Sequence, residues 1–161
     1  MKKLMALLLS LVTVLSMTCV AFAGEMPTTP NTYPAEYEYF DDGSYMVTII
    51  SNEPSCITSR SATTVTKSKT VNYYSSSNDI IWYVKVTGSF KYGNGSASCL
   101  SSNVSAGSNY SNWKISNKTS SKSGSTAKAS ATAKQYSTSG ILINTINKSV
   151  TLTCDSNGKF S

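Results

Sequence analysis

The stretch that decides the fold is Ile80-Ile-Trp-Tyr-Val-Lys-Val-Thr-Gly-Ser-Phe-Lys-Tyr92. Large apolar side chains occupy every second position from Trp82, and polar residues such as Lys85 and Thr87 occupy the positions between them. This alternation places apolar residues on one face of a strand and polar residues on the other. Gly88 interrupts the apolar face and indicates a bulge or a close approach of another backbone. The pattern predicts a half-buried strand over residues 80–92.

The flanking sequence has the same period of two. Gly93-Asn-Gly95 is a tight-turn signal, so residues 96–104 are expected to return as the second strand of a hairpin. Residues 64–74 also alternate, and alanine recurs at every second position over residues 127–133, which leaves room for bulky side chains opposite. Strands that recur between Gly, Ser and Asn turns, without a convincing helix, predict an all-β fold. We expect a single-domain antiparallel β-sandwich, either Ig-like or a small barrel.

The N-terminus has the pattern of a secretory signal peptide over residues 1–23. Lys2 and Lys3 precede an apolar run, and a small-x-small site ends at Ala23. This pattern predicts cleavage after Ala23 and a secreted, extracellular protein without a membrane span, in a setting where disulfides persist. The alternative is an uncleaved membrane anchor, because residues 4–23 are long enough to span a bilayer. A lipoprotein signal at Cys19 fits less well, because the residues before it are not those usual for lipidation.

Charge divides the mature chain into two parts. Six of the eight acidic residues lie before position 54, whereas eleven lysines and Arg60 lie after it. Residues 24–54 therefore form an acidic, Pro- and Tyr-rich leader or linker, expected to be a disordered spacer with one short strand at residues 46–50. Residues 55–161 are expected to form the basic β-sandwich domain. Such asymmetry indicates contact with an anionic partner, or contact of the leader with the body.

Cleavage would leave three cysteines, Cys56, Cys99 and Cys154, and so one without a partner. We expect a disulfide between Cys99 and Cys154, because it joins the first half of the body to its last strand. Cys56 lies in an irregular, Pro-bounded connector and is the candidate for a free thiol. A bridge from Cys56 to either of the other two is the alternative.

Several segments of the body carry a resemblance to a known group. They are Thr64-Val-Thr-Lys-Ser-Lys-Thr-Val, Trp82-Tyr-Val-Lys-Val-Thr-Gly-Ser-Phe-Lys-Tyr, Cys99, Ser111-Asn-Trp113, Lys122-Ser-Gly and Val150-Thr-Leu-Thr-Cys154. Over residues 60–161 the chain resembles small secreted proteins of Gram-positive, Clostridia-like bacteria, a group to which no activity is attached. The resemblance implies secretion and β architecture. It also implies equivalents of Cys99 and Cys154 without a dependable partner for Cys56.

Composition excludes several kinds of catalysis. The chain has no histidine, so Ser-His and Cys-His activation and the commonest metal ligand are absent. Beyond Pro54 the only acids are Asp79 and Asp155, which leaves little basis for a pair of catalytic carboxylates. No Gly-rich phosphate loop is present. We therefore expect no enzyme activity, no cofactor and no metal site.

Binding is the function that the composition favours. A basic strand face would contact an anionic cell-envelope polymer or extracellular polysaccharide through many weak, salt-screened lysine contacts. The extracellular location argues against nucleic acid as the partner, and the oligomeric state stays open. The lysines expected to point outward are Lys67, Lys69, Lys85, Lys91, Lys128 and Lys134.

Two alternatives use other features of the chain. In the first, exposed Tyr73, Tyr83 and Tyr136 stack on sugar rings, as in carbohydrate-binding modules. In the second, the protein is a secreted cationic antimicrobial or toxin whose acidic leader masks the basic body. Salt-insensitive binding would favour the first, and killing by a leader-deleted form would favour the second.

Overall fold

The computed structural model describes residues 33–53 and 62–161 of the chain. These residues form eight β-strands and contain no helix. The predicted signal peptide, residues 24–32 of the leader and the connector 54–61 with Cys56 lie outside the described residues. The strands are β1 Glu36–Tyr39, β2 Tyr45–Asn52, β3 Thr63–Tyr74, β4 Ile80–Gly93, β5 Ser96–Ser108, β6 Trp113–Ser123, β7 Thr126–Tyr136 and β8 Leu142–Thr153.

The strands form two sheets that make a sandwich. Strands β1 to β5 form a five-stranded sheet in chain order, and β6 to β8 form a three-stranded sheet in chain order. Every neighbouring pair is antiparallel. The predicted all-β sandwich is therefore confirmed. Its meander order differs from the Greek-key order of immunoglobulin domains. In the described part of the chain, no helix is long and apolar enough to cross a bilayer.

The core lies between β4 and β7, where the alternation is most regular. On β4 the side chains of Trp82 and Phe90 are completely buried, and the alanines of β7 are buried in the same cluster. A Cβ added at Gly88 would lie 2.5 Å from the Phe90 ring and 3.0 Å from the Ala127 Cβ. Gly88 is thus closely approached by side chains rather than by another backbone, and the register with β5 shifts one residue further on, between Ser89 and Phe90. Small residues on β7 and at Gly88 leave the space that the aromatic rings fill.

The turn between β4 and β5 occurs where the sequence predicted it. Between β4 and β5, Asn94 and Gly95 both have positive φ angles, 52° and 77°, as the two central residues of a type I′ turn require. Gly124, with a φ of 54°, lies in the turn between β6 and β7. Glycine and asparagine tolerate this conformation better than other residues. These turn residues therefore favour the pairing of β4 with β5 and of β6 with β7 as hairpins.

The second half of the acidic leader differs from the prediction. It contributes two strands, β1 and β2, rather than one, and both belong to the five-stranded sheet. Met46 on β2 is buried in the common core, at 4% exposure. Lys148 of β8 forms an ion pair of 3.0 Å with Glu38 of β1. The described leader residues therefore belong to the compact unit that extends from Thr32 to Ser161.

Candidate polyanion-binding face

The three-stranded sheet is rich in lysine, and one of its lysines, Lys148, is paired with an acid of the other sheet, Glu38. Residues 113–153 include six lysines and no acidic residue. Because the alanines of β7 are buried, the alternate residues Lys128 and Lys134 lie on the outward face. Lys114 of β6 lies directly opposite Lys134 in the strand register, on the same face. We call this outward surface of β6, β7 and β8, with Lys114, Lys128 and Lys134, the lysine face.

Hydroxyl and amide groups fill the space between these lysines. The Thr119 and Ser130 hydroxyls form a hydrogen bond of 2.7 Å between β6 and β7. The Thr132 hydroxyl donates to Asn147 Oδ1 of β8 at 2.7 Å, and it accepts from the Asn117 amide at 3.3 Å. These bonds cross all three strands and hold the polar side chains in place. The lysine face is therefore a fixed polar surface that offers both donors and positive charge.

A depression of about 440 Å³ lies at one end of the lysine face. Tyr136, at the end of β7, and Lys114, near the start of β6, both contribute to its wall. The backbone N–H of Tyr136 donates to the Asn112 carbonyl at 2.8 Å, which fixes the two strands at this point. None of the residues that line the depression is acidic. The lining residues are Ser111, Asn112, Lys114, Tyr136, Ser137, Thr138 and Gly140.

Lys67 was predicted to point outward, and this prediction is wrong. The residue is only 8% exposed, and its Nζ donates to Asn52 Oδ1. Its ammonium lies 5.4 Å from the centroid of the Tyr33 ring and 5.5 Å from that of the Phe160 ring. Burial lowers the pKa of Lys67. Lys67 is therefore part of the packing between the sheets and unavailable to a large ligand.

The other predicted lysines do not form one surface. Lys69 is half-buried on the inner side of its sheet, opposite Val86. Lys85 lies on the outer side and forms an ion pair of 2.5 Å with Glu53. Lys91 is exposed on the same sheet. Of the six predicted lysines, only Lys128 and Lys134 belong to the lysine face, because strand alternation does not tell which sheet or partner a strand will have.

Two of the three predicted sugar-stacking tyrosines are engaged in packing. Tyr73 stacks on Trp82 with ring centroids 5.1 Å apart, and its hydroxyl donates to Ser44 Oγ at 2.9 Å. Tyr83 covers Gly107, where an added Cβ would lie 3.1 Å from the Tyr83 ring. Tyr73 therefore does not fit the predicted role, whereas Tyr83 lies half-buried on the outward side of its sheet and its role stays a prediction. Tyr136 lines the depression together with Lys114, so it remains a candidate for sugar stacking.

Sequence reasoning missed the most exposed tyrosines of the described chain. Tyr39 is 72% exposed and Tyr37 is 58% exposed. Tyr45 lies opposite both Tyr39 and Tyr74 in the strand register. The ring centroids of Tyr39 and Tyr45 are 5.5 Å apart, and those of Tyr45 and Tyr74 are 4.8 Å apart. We call these residues the tyrosine row; the alternation of Tyr37-Glu38-Tyr39 was the signal that could have revealed it.

The predicted bridge between Cys99 and Cys154 is not formed in the structure. Both residues are buried free thiols. The Cys99 thiol contacts the Ser101 carbonyl at 3.2 Å, and the Cys154 thiol contacts the Asp155 carbonyl at 3.4 Å. Burial raises the pKa of Cys154 to about 11. The two thiols therefore act as small apolar groups that complete the core.

Asp155, one of the two acidic residues of the body, has a structural role. Asp155 Oδ1 accepts hydrogen bonds from the backbone N–H groups of Asn157 and Lys159, at 2.9 and 2.8 Å. Within residues 33–53 and 62–161, no group of three or more His, Cys, Asp or Glu side chains is placed to hold a metal ion. The predictions of no catalytic activity and no cofactor stay predictions.

Comparisons with known proteins give no family for this chain. No family model, no curated protein and no solved structure matches it. A proposal for its function therefore depends on the geometry and charge of the described residues.

Proposed function

We propose that this is a secreted, non-enzymatic binding protein that contacts an anionic cell-envelope polymer through the lysine face. The observation that carries the proposal is the charge of that face, which presents Lys114, Lys128 and Lys134 on a sheet without acidic residues. A single exposed lysine contributes little binding free energy, because water and salt screen its charge. Several lysines on one rigid surface act together on a polymer whose charges repeat.

The five-stranded sheet, unlike the three-stranded sheet, has acidic residues beside its lysines. Lys85 is paired with Glu53, and Glu38 of β1 is paired with Lys148 of β8. The outward side of the five-stranded sheet also carries the tyrosine row rather than a set of neighbouring lysines. The lysine face is therefore the surface of the described chain that best suits an extended polyanion.

The test compares two double variants that remove the same charge. Lys128→Gln with Lys134→Gln removes two charges from the lysine face. Lys91→Gln with Lys159→Gln removes two exposed charges elsewhere. We expect the first pair to weaken co-sedimentation with cell walls about tenfold at low salt, and the second pair to have little effect. Equal effects of the two pairs, or wild-type binding that survives high salt, would contradict the proposal.

The tyrosine row favours a second candidate function, the binding of neutral glycans. Tyrosine offers a flat apolar area together with a hydroxyl group, and four such rings lie across β1, β2 and β3. Binding of this kind would not depend strongly on salt. Tyr39→Ala should abolish it, whereas Tyr110→Ala, at an exposed position outside the row, should not.

The structure gives less support to a toxin that is activated by removal of its acidic leader. Cleavage after Glu53 would remove β1 and β2, and with them the buried side chain of Met46. It would also expose the edge of β3, which spans twelve residues. Exposed strand edges promote aggregation. The leader is thus better interpreted as part of the sandwich than as a removable mask.

A further inference from the structure

The depression beside Tyr136 adds a second kind of contact to the lysine face. Its lining residues include one aromatic residue, Tyr136, and one lysine, Lys114, together with the polar residues Asn112, Ser137 and Thr138. Its volume of about 440 Å³ can hold one sugar residue. A simple phosphate polymer would use the lysine but would leave the aromatic ring without a partner.

The chemistry of these groups specifies the ligand more closely than charge alone. One side of a pyranose ring presents C–H groups, which pack against an aromatic face, while its hydroxyls need hydrogen-bond partners. A carboxylate on the same sugar would meet a lysine, and the absence of acidic lining residues removes electrostatic repulsion. Lys134, directly opposite Lys114 in the register, extends this positive charge toward the next sugar of a chain.

We infer that the depression binds one carboxylated pyranose, a uronate residue, of an acidic polysaccharide that continues along the lysine face. The inference deepens the proposed function and rests on it. Tyr136 selects the sugar ring, and Lys114 selects the carboxylate. The polymer is therefore an acidic polysaccharide rather than a polyphosphate chain.

The test uses the whole mature protein and four polymers: polygalacturonate, its methyl ester, inorganic polyphosphate and dextran. We expect polygalacturonate to bind more tightly than the other three. Tyr136→Ala should weaken polygalacturonate binding about five- to tenfold, the range expected for loss of one aromatic contact, and should leave polyphosphate binding unchanged. Lys114→Gln should weaken binding of both charged polymers.

Two further variants separate recognition from folding. Tyr136→Phe keeps the ring and should bind polygalacturonate nearly as well as the wild type, which would show that the effect of Tyr136→Ala comes from loss of the ring. Leu100→Ala, at an exposed apolar position of the five-stranded sheet, should leave polygalacturonate binding intact, and each variant should keep the wild-type unfolding temperature.

Each result has a distinct meaning. Equal binding of polyphosphate and polygalacturonate, with no effect of Tyr136→Ala, would overturn the uronate inference and leave the polyanion proposal standing. Binding to neither charged polymer would overturn both. Equal binding of polygalacturonate and its methyl ester would show that the carboxylate is not recognised, and so would also overturn the inference.

Discussion

Lys114 of β6 lies directly opposite Lys134 of β7, on the outward face of the three-stranded sheet. Like charges at directly opposed positions of an antiparallel pair destabilise the sheet. Lys128, by contrast, lies opposite Ser121 and Thr151, so it has no such conflict. The same two lysines that would bind a polyanion should therefore lower the stability of the fold by repelling each other.

Replacement of Lys134 by Glu should stabilise the fold and weaken polyanion binding. The substitution converts a repulsive cross-strand pair into an attractive one, which should raise the free energy of unfolding by about 0.5 kcal/mol at low salt. Lys128→Glu is the matched control, because it removes the same charge without relieving repulsion. It should weaken binding without the gain in stability. Chemical denaturation and cell-wall binding measure the two effects, and equal stability changes in the two variants would refute the explanation.

The free energy of unfolding should decrease at acidic pH, because Glu53 then becomes protonated. Hydrogen bonds from Lys85, at 2.5 Å, and Ser68, at 2.8 Å, lower the pKa of Glu53 below its ordinary value of 4.5. The folded state thus favours the ionised carboxylate. This contribution to stability is present above pH 4.5 and is lost as the pH falls through the lower folded-state pKa.

Glu53→Gln tests this contribution through unfolding measured from pH 6 to pH 3. The variant should lose less stability over this range than the wild type. Asp41→Asn, at an exposed position of the same segment, is the matched control for the loss of one carboxylate. If Glu53→Gln loses stability as steeply as the wild type, other carboxylates must account for the acid sensitivity.

Gly88→Ala should destabilise the sandwich. The new methyl group would lie 2.5 Å from the Phe90 ring in a closely packed part of the core, so the ring or a strand must shift. Overpacking of this kind costs about 1–3 kcal/mol. Gly107→Ala is the control, because its methyl group would meet only the Tyr83 side chain, at 3.1 Å, outside the core. Urea unfolding should show the larger loss for Gly88→Ala, and an equal loss would argue against the packing explanation.

Met46→Ala should show that the acidic leader is part of the fold. Met46 is 4% exposed and lies in the core cluster, so truncation should cost about 2–3 kcal/mol. Thr48→Ala, two residues along the same strand and only half-buried, should cost less. Cooperative thermal unfolding monitored by tryptophan fluorescence would report the difference. A Met46→Ala variant as stable as the wild type would indicate that β2 does not contribute to the core in solution.

Cys99 and Cys154 should react slowly with alkylating reagents while the protein is folded. Both thiols are buried, and the raised pKa of Cys154, about 11, keeps its thiol protonated near neutral pH. Without a reductant, both should become alkylated once the protein is denatured, as peptide mapping by mass spectrometry would show. Recovery of the two peptides joined by a bond that a reductant breaks would contradict the free-thiol state of Cys99 and Cys154 in the structure.

The strands of the body were predictable because their signals are local. The alternation around Trp82 and the alanine period of β7 each describe one strand and its two faces. The turns at Asn94-Gly95 and Gly124 depend on backbone conformations that few other residues adopt. The predicted strands over residues 64–74 and 80–92 consequently differ from β3 and β4 by a single residue at the ends.

The site was predictable only in part, because partners across the sandwich are not local. Lys67 falls on the same side of β3 as Val71, but only the packing of the two sheets shows that it is covered by Tyr33 and Phe160. Similarly, nothing in the sequence places Lys114 and Tyr136, 22 residues apart, at the same depression.

The sequence by itself determined that the chain folds as β-strands, which residues of β4 and β7 face inward, and where the hairpins turn. Period-two alternation and turn conformations are properties of neighbouring residues, so they can be read without the fold. Only the tertiary structure decided that the acidic segment joins the sheet, that Lys67 is buried, and that Lys114, Lys134 and Tyr136 share one surface. Those outcomes depend on strand register and on the packing of one sheet against the other, which bring together residues far apart in the chain.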